Sequence, residues 1–343
     1  MMSRPTRREF GVELIGITLA GGVLAGCTVP AEARPVTGSR KGWSPGYLHL
    51  EQTGELATRE AALRAMYKSC RLCPRACGVD RQHGEIGVCG LPGRLKIASS
   101  HPHFGEERPL VGRGGSGTIF FSHCNLLCEF CQNWPINHRG DGVWHSDRDC
   151  ARLMIALQDQ GCHNINLVTP SHCVPSIVSA LRVAIGRGLR LPLVYNCSGY
   201  EPVEVLRLLD GIVDIYLPDF KFTDPEAAAR IARGVSDYPQ VARAAIREMH
   251  RQVGPLTVDE NGIAFRGLLV RHLVLPNNQA GTDRFVEWMA EDLGPDTSIN
   301  IMGQYRPEHR ASQFPEIARR VTRAEYRQAL DWARRAGFKT TSL

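Results

Sequence analysis

The stretch Thr118-Ile119-Phe120-Phe121-Ser122-His123-Cys124-Asn125-Leu126-Leu127-Cys128-Glu129-Phe130-Cys131 joins an apolar run to three closely spaced cysteines. A short apolar run of this kind is typical of a buried strand, and the cysteines follow where the strand would end. From this point on, the chain alternates apolar runs with stretches of helical periodicity. The stretch therefore opens a repeating strand–helix pattern whose first turn carries three thiols, here called the three-cysteine loop.

The alternation repeats six times after the three-cysteine loop begins, with apolar runs at 118–121, 165–168, 193–196, 212–216, 268–274 and 298–302. Helical stretches accompany them at 147–160, 175–187, 202–209, 224–253 in two pieces, 283–292 and 323–336. Continuous apolar strands alternating with helices predict parallel pairing with both faces covered. We therefore predict an α/β core over 118–340, either a partial barrel or an open doubly wound sheet. In both, functional residues gather at the carboxyl ends of the strands.

The spacing Cys124-x3-Cys128-x2-Cys131 favours an iron–sulfur cluster with one open position. Three thiolates hold three irons of a 4Fe–4S cubane, and the fourth iron is left free for cofactor or substrate chemistry. A structural zinc would need a fourth ligand, for which His123 is the candidate. Inert thiols are the other alternative. The position of the loop after a strand favours the open cluster.

Composition places the 343-residue chain among globular proteins, with 43% hydrophobic and 22% charged residues. The net charge is +6, but both signs are scattered, so no basic stripe indicates nucleic-acid binding. Twelve cysteines are too few for a disulfide scaffold, and seven of them lie between Cys70 and Cys131. This clustering indicates metal binding.

A second group of cysteines, the four-cysteine set, has the spacing Cys70-x2-Cys73-x3-Cys77-x11-Cys89. It lies in residues 47–117, which lack the alternation and are predicted to form a small Cys-rich N-terminal module. Four thiolates make a closed site, for which zinc and an iron–sulfur cluster are both acceptable. Disulfides are the alternative if the protein is exported. The remaining cysteines share no spacing and are predicted to be buried thiols, namely Cys150, Cys162, Cys173 and Cys197.

Residues 1–29 are predicted to be an export signal, and residues 30–46 a linker. Thr6-Arg7-Arg8-Glu9-Phe10 is similar to a twin-arginine motif and precedes an apolar stretch too short to span a membrane. Leu24-Ala25-Gly26-Cys27 is similar to a lipobox, so a lipidated Cys27 would anchor the protein to a membrane. An apolar tail without signal function is the alternative.

The ten residues Cys124–Asn133 resemble the signature of radical S-adenosylmethionine (SAM) enzymes. Within that superfamily the chain resembles the pyruvate formate-lyase activating enzymes, specifically an uncharacterised branch with an N-terminal four-cysteine module. The resemblance covers about residues 69–337 and rests on further blocks: Leu167–His172, Tyr195–Tyr200, Asp214–Lys221, Arg271–Pro276 and Met302–Tyr305.

The resemblance implies a partial barrel of six βα units and a 4Fe–4S cluster whose open iron chelates SAM. Reductive cleavage of SAM would give methionine and a 5′-deoxyadenosyl radical, which abstracts hydrogen from a substrate. In the activating enzymes the substrate is a glycine of a partner protein, and the electron comes from a low-potential donor of the flavodoxin or ferredoxin type. SAM and such donors are cytosolic, which conflicts with an export signal, so the sequence leaves the location open.

The resemblance also implies a set of cofactor-binding residues at successive strand ends. Phe130 would pack on the adenine, with Gln132 beside it; Thr169 and Ser171 would bind the SAM amino group; Asn196 and Ser198 would meet the ribose; Asp219 and Lys221 would bind near the carboxylate; and His272, or its neighbour Arg271, would contact the ribose or carboxylate. Each also fits a plainer role as a turn, a surface ion pair or a buried histidine.

One departure concerns the second strand end. Many relatives have Gly-Gly-Glu-Pro where this chain has Thr169-Pro170-Ser171-His172. That difference puts the amino-group contact, and with it the substrate class, in doubt. The alternative function is a non-catalytic iron–sulfur or zinc module for electron transfer or partner binding. An open iron that binds and cleaves SAM distinguishes the two.

Overall fold

A computed structural model describes residues 31–32 and 36–339 of the chain. The predicted signal at 1–29, including Cys27, lies outside the described residues, so the export and lipid-anchor hypotheses stay predictions. Within the described part of the chain, no helix is long and apolar enough to cross a membrane.

The chain forms eleven strands and eleven α-helices over the described residues. The strands are β1 Ala31–Glu32, β2 Val36–Thr37, β3 Leu95–His103, β4 Ser116–Phe121, β5 Val143–His145, β6 Ile165–Val168, β7 Leu193–Cys197, β8 Ile215–Pro218, β9 Thr257–Val258, β10 Ala264–Leu273 and β11 Ser298–Met302. The helices are α1 Gly46–Gln52, α2 Glu55–Ala65, α3 Arg108–Val111, α4 Trp134–Asn137, α5 Asp147–Asp159, α6 Val174–Ile185, α7 Val203–Leu208, α8 Pro225–Ile231, α9 Tyr238–Val253, α10 Thr282–Asp292 and α11 Arg323–Arg335.

Six parallel strands form the centre of the sheet in the order β4-β6-β7-β8-β10-β11. This order follows the chain without reversal, whereas a doubly wound sheet reverses direction at a switch point. Every crossover therefore runs the same way and places its helices on one face, as in a barrel. The prediction of an α/β partial barrel of six βα units is confirmed.

Local signals explain most element boundaries. Ser146 begins α5 with a capping box, in which its hydroxyl accepts from the Asp149 amide and the Asp149 carboxylate accepts from the Ser146 amide. The predicted helix over 224–253 breaks between α8 and α9, where Arg233 and Gly234 both have positive φ. The predicted strand at 212–216 instead begins at Ile215, because the amides of Ile212 and Val213 donate to the Leu209 carbonyl in the turn that follows α7.

The N-terminal residues are built onto the same sheet. Strand β3 pairs antiparallel with β4, and β5 pairs antiparallel with β3. Helix α2 packs against α6, and Arg182 of α6 forms ion pairs with Glu51 and Glu60. Residues on both sides of the predicted boundary at 117/118 thus share one sheet, and the boundary itself stays a prediction.

Gly117 in β4 allows a close approach that a side chain would prevent. A Cβ atom there would lie 2.5 Å from the backbone oxygen of Asn164 and 3.2 Å from Leu157 of α5. We expect Gly117→Ala to lower the free energy of unfolding by about 1–3 kcal/mol, because a packed core tolerates an added methyl poorly. Denaturant unfolding measures the change.

Gly186→Ala is the matched control for this substitution. Gly186 follows α6 with φ −62°, is exposed, and has no atom within 3.4 Å of an added Cβ. Because alanine lowers the conformational entropy of the unfolded chain, we expect Gly186→Ala to leave the free energy of unfolding unchanged or to raise it by up to about 1 kcal/mol. Equal losses at both positions would contradict the packing argument.

Candidate functional site

A cavity of about 230 Å³ lies at the carboxyl edge of the six parallel strands. Its wall combines the three-cysteine loop with residues that end or follow β6, β7, β8, β10 and β11. The polar and thiol residues of the lining are Cys124, Cys128, Cys131, Gln132, Asn133, Asn137, His138, Thr169, Asn196, Cys197, Ser198, Asp219, Lys221, Arg271 and Gln304. The cavity thus lies where the fold predicts function.

The three-cysteine loop turns back on itself and presents its sulfurs to this cavity. Leu127 has φ +59°, and the amide of Leu126 donates to the Cys124 sulfur at 3.4 Å. The Asn137 side-chain amide donates to the Cys131 sulfur at 3.3 Å. Burial raises the pKa of the Cys124 and Cys131 thiols, and the nearby amides oppose this rise only in part. A bound cationic centre is therefore what would favour the thiolates.

Three buried polar atoms on cavity residues have no hydrogen-bond partner among the residues that the structure describes. They are the Gln132 amide nitrogen, the Ser198 hydroxyl and Nδ1 of His138. Buried polar groups nearly always have a partner in native proteins, so these atoms are positioned for a bound ligand. Polar atoms beside three thiols fit a cluster together with an organic cofactor.

The zinc alternative lacks its fourth ligand. The His123 ring lies against Gly90 and Gly140 and is not among the cavity-lining residues. Cys197 does line the cavity, but burial and the nearby Glu201 carboxyl group raise the pKa of its thiol and disfavour the thiolate that zinc binds. Over the described residues, no group of three or more His, Cys, Asp or Glu side chains is arranged to hold a single metal ion.

Asp219 lies between two cations on the cavity wall. Its carboxylate accepts from Lys221 Nζ at 2.7 Å and from Arg271 Nε at 2.8 Å. Burial alone would raise the Asp219 pKa, but Arg271 and Lys221 outweigh it and lower the pKa. Each of the three side chains is less than a fifth exposed, so this is an internal network and not a surface pair. All three groups are therefore charged at neutral pH.

The network continues on both sides of Arg271. Its guanidinium donates to the Asn196 side-chain oxygen at 2.5 Å and pairs with Glu106 at 3.4 Å. The Asn196 oxygen is thereby occupied, which leaves its NH₂ group to donate to a ligand. Phe130 also lines the cavity, and its ring packs edge-on against Phe222 and Tyr305.

Most of the predicted cofactor-binding residues meet in this cavity. Those that line it are Phe130, Gln132, Thr169, Asn196, Ser198, Asp219 and Lys221. Ser171 and His272 do not. The Ser171 hydroxyl donates to the buried Glu201 carboxyl group, below the cavity wall. The direct SAM contact predicted for Ser171 is corrected to a support role.

His272 faces the helix layer and not the cavity. Both of its ring nitrogens are used, by the Phe220 carbonyl and the Thr282 hydroxyl, and its ring stacks on Phe285 at 4.3 Å. Successive side chains of a strand point to opposite faces, so Arg271 takes the cavity position. Because the His272 ring faces the helix layer with both nitrogens occupied, its predicted cofactor contact is corrected to a structural role.

Several cavity residues carried no sequence-based assignment: Asn133, Asn137, His138 and Gln304. Gln304 stands in the block Met302–Tyr305 that supports the family resemblance, so a signal existed there. Asn137 and His138 reach the cavity through α4, a single turn that no periodicity marks. Glu106, which pairs with Arg271, precedes the first parallel strand and lies 165 positions away in the chain.

All four members of the four-cysteine set are free thiols, as are the other described cysteines. The disulfide alternative is therefore not seen in the described residues. Cys150, Cys162 and Cys173 are buried, as predicted for unassigned thiols, whereas Cys197 also lines the cavity.

Comparison with known proteins places this geometry in a family. Residues 118–260 match the model of the radical SAM superfamily. The chain is also 32% identical over 276 residues to an uncharacterized protein of Methanocaldococcus jannaschii, an alignment that covers 78% of this chain and 75% of that protein. The chain belongs to the radical SAM superfamily. Membership of this superfamily implies a 4Fe–4S cluster and SAM as cofactors, and the three thiols and unpartnered polar atoms of the cavity fit both.

Glu201, beneath the radical SAM cavity, gives stability a pH dependence. Burial raises its pKa to about 7, although hydrogen bonds from Ser171, Tyr195 and Cys197 oppose the rise. In the unfolded chain a glutamate titrates near about 4.3. Between these values the unfolded state loses the proton first, so the free energy of unfolding falls as the pH rises.

We expect Glu201→Gln to make the fall of the free energy of unfolding with rising pH shallower. The difference in slope should be up to about 1.4 kcal/mol per pH unit, which is the contribution of one proton. Urea unfolding at a series of pH values from 4 to 8 provides the measurement. Glu204→Gln, at an exposed side chain, is the control and should leave the slope unchanged. Equal slopes for wild type and Glu201→Gln would refute the assignment.

Proposed function

We propose that this protein is a radical SAM enzyme of the glycyl-radical-activating type. It would hold its 4Fe–4S cluster on Cys124, Cys128 and Cys131 and abstract hydrogen from a glycine of a partner protein. The observation that carries the enzyme assignment is the meeting of three thiols with charged and unpartnered polar groups in one cavity. The activating role is supported by the resemblance of the motif blocks alone.

The cluster and SAM, when bound, supply the one-electron chemistry that yields methionine and a 5′-deoxyadenosyl radical. The protein supplies position and charge. Lys221 keeps two N–H donors beyond its bond to Asp219, and these suit the SAM carboxylate. The Asn196 NH₂ group and the Ser198 hydroxyl, which line the cavity, would donate to ribose oxygens, and the Phe130 ring would pack on the adenine.

The apolar part of the lining has a separate task. Leu126, Leu127, Val168, Leu273 and Met302 surround the polar groups at the cavity wall. Such side chains exclude water, which strengthens the interactions of the enclosed charges and protects a reactive radical from side reactions. Thr169 closes the β6 end, where its amide donates to the Asn196 carbonyl at 2.9 Å.

The enzyme assignment predicts SAM cleavage. Protein reconstituted anaerobically with iron and sulfide, then given dithionite and SAM, should release methionine and 5′-deoxyadenosine. Cys128→Ala removes one of the three cluster ligands and should reduce both products to background. Cys150→Ala, at an equally buried thiol outside the cavity, should keep wild-type activity. Absence of 5′-deoxyadenosine from the loaded wild type would favour the non-catalytic metal module instead.

Lys221→Met tests the carboxylate contact. Loss of a hydrogen bond to a charged group costs about 1.5–3 kcal/mol. We therefore expect the dissociation constant for SAM to rise about 10–100-fold while the iron content stays the same. Equilibrium binding of SAM to the oxidised cluster protein measures it. Lys96→Met, on β3 outside the cavity lining, is the control. Unchanged binding in Lys221→Met would remove Lys221 from the SAM site.

Two partners belong to this proposal. A low-potential flavodoxin or ferredoxin would supply the electron, and a glycine-containing protein would accept the radical. The first is tested by replacing dithionite with reduced flavodoxin in the cleavage assay. The second is tested by electron paramagnetic resonance (EPR) of anaerobic protein fractions after incubation with enzyme, SAM and reductant, where a stable glycyl radical signal is expected. Product formation without any such signal would indicate a small-molecule substrate.

A further inference from the structure

The four-cysteine set converges at one place that the proposed function does not use. Cys70, Cys73 and Cys89 are 4%, 8% and 6% exposed. The amide of Cys70 donates to the Val79 carbonyl, and the amide of Gly78 donates back to the Cys70 carbonyl, both at 3.0 Å. These bonds close the segment on itself and bring its ends together.

Gly87 leaves room beside two of the sulfurs. A Cβ atom at this glycine would lie 3.4 Å from the sulfurs of both Cys77 and Cys89. Both thiols therefore lie beside the position that a side chain of residue 87 would occupy. A group bound by these sulfurs would be approached closely by the chain, a use for which glycine is suited.

Arg81 is a buried cation without a carboxylate partner. It is 1% exposed, and over the described residues it takes part in no ion pair with Asp or Glu. Its guanidinium lies over the Tyr67 ring at 4.6 Å, donates to the Pro92 carbonyl at 2.9 Å and reaches the Cys70 sulfur at 3.7 Å. Its Nε has no hydrogen-bond partner in the described part of the chain.

A buried charge is costly unless it is paired. Neutral thiols do not balance a guanidinium, but four metal-bound thiolates do. A 4Fe–4S cluster with a core charge of about +2 and four thiolate ligands carries a net charge near −2. The position of Arg81 beside the four-cysteine set therefore indicates an anionic metal centre.

A single zinc ion does not fit the four-cysteine set as the described residues are arranged. Zinc draws all its ligand sulfurs to about 2.3 Å from one point. No group of three or more metal-ligating side chains in the described chain has single-ion geometry, and this holds for both sets of cysteines alike. The three-cysteine loop belongs to a superfamily that implies a cubane. The four-cysteine set likewise lacks a single-ion site, so a cubane is the anionic centre consistent with it.

Two contacts connect the two groups of cysteines. Arg75, between Cys73 and Cys77, donates to the carbonyls of Asn125 and Leu126 at 3.0 and 3.1 Å. Both carbonyls lie inside the three-cysteine loop. Next to Cys89, Gly90 packs on the His123 ring, where an added Cβ would lie within 2.5 Å of Nδ1 and no side chain fits.

We propose that the four-cysteine set binds a second, closed 4Fe–4S cluster whose negative charge is balanced by Arg81. The cluster would hold the segment that carries Arg75, and Arg75 would thereby fix the three-cysteine loop. With four thiolate ligands, no iron of this cluster is open to SAM. Its role is to hold Arg75, and through it the two loop carbonyls, in one position. The proposal does not depend on SAM cleavage by the protein.

The first experiment removes the other cluster. The triple variant Cys124→Ala/Cys128→Ala/Cys131→Ala, reconstituted anaerobically, should retain about four iron and four sulfide per chain, against about eight of each in the wild type. Its reduced EPR spectrum should not respond to SAM. A folded triple variant without iron, or wild type with zinc at the four-cysteine set, would overturn the proposal, whatever the SAM-cleavage assay gives.

The second experiment removes the proposed centre. Cys89→Ala should lose about four iron per chain, whereas Cys150→Ala, at another buried cysteine, should keep about eight. If Cys89→Ala does not fold, the iron content of the reconstituted wild type tests the second cluster by itself. A folded, fully reconstituted wild type with only about four iron per chain contradicts a second cluster.

The contact between the loops is tested by Arg75→Gln. Loss of a side chain that orients a ligand loop typically lowers metal affinity about 10–100-fold. We expect the iron of the three-cysteine loop to be lost to a chelator at a correspondingly lower concentration, while the iron that the triple variant retains stays bound. Arg71→Gln is the matched control, because Arg71 also lies within the set but is exposed and pairs with Glu204. Equal iron retention by both variants would refute the role of Arg75.

Discussion

The six parallel strands β4, β6, β7, β8, β10 and β11 end at the same edge of the sheet, and every residue of the cavity depends on that shared polarity. Parallel strands in sequential order bring together residues separated by more than a hundred positions, such as Cys131 and Arg271. The backbone bridge between Asp219 and Arg271 continues the pairing of β8 and β10 up to the cavity. The pairing of the sheet therefore positions the charged network directly.

Electrostatics decides what this edge can hold. Buried thiols whose pKa values are raised, and two cations that share one carboxylate, make a poor site for a neutral apolar ligand. They suit a group with a positively charged core and a cofactor with its own carboxylate. Beneath the wall, Glu201 receives bonds from Ser171 and Tyr195 and supports the strand ends without reaching the cavity.

The two cysteine groups differ in the donors and positive charges that lie close to their sulfurs. At the three-cysteine loop, amide N–H groups reach the sulfurs, and Lys221 lies nearby. At the four-cysteine set, the nearby positive charge is Arg81, which pairs with no carboxylate of the described residues. Arg75 connects the two, so a change in one group should be felt by the other. This contact is the reason to treat the N-terminal residues as part of the active enzyme.

Much of the fold was predictable because it rests on local patterns. The parallel strands and their helices follow from apolar runs and capping residues, and Ser146 begins α5 as its position indicates. Partial barrel and doubly wound sheet could not be separated by periodicity, since both alternate strands and helices. Strand order separates them, and strand order is a long-range property.

Among site residues, the structure separates His272 from Arg271, which the sequence left as alternatives: Arg271 lines the cavity, whereas both ring nitrogens of His272 are used elsewhere. One residue of shift along a strand reverses the side-chain direction, and no spacing reveals which of two polar neighbours faces inward. Ser171 was similarly plausible at a strand end, yet the turn after Thr169 directs its hydroxyl to Glu201.

The sequence by itself determined that this chain has three closely spaced thiols after a buried strand, four more thiols upstream, and alternating strands and helices that bring strand ends to one edge. Those features are local, so short-range spacing and periodicity carry them. Only the tertiary structure decided that Asp219 is shared by two buried cations, that Arg81 has no carboxylate partner within the described chain, and that Arg75 reaches the three-cysteine loop. Each of these depends on side-chain direction and on contacts between distant segments, which chain order does not encode in any local pattern.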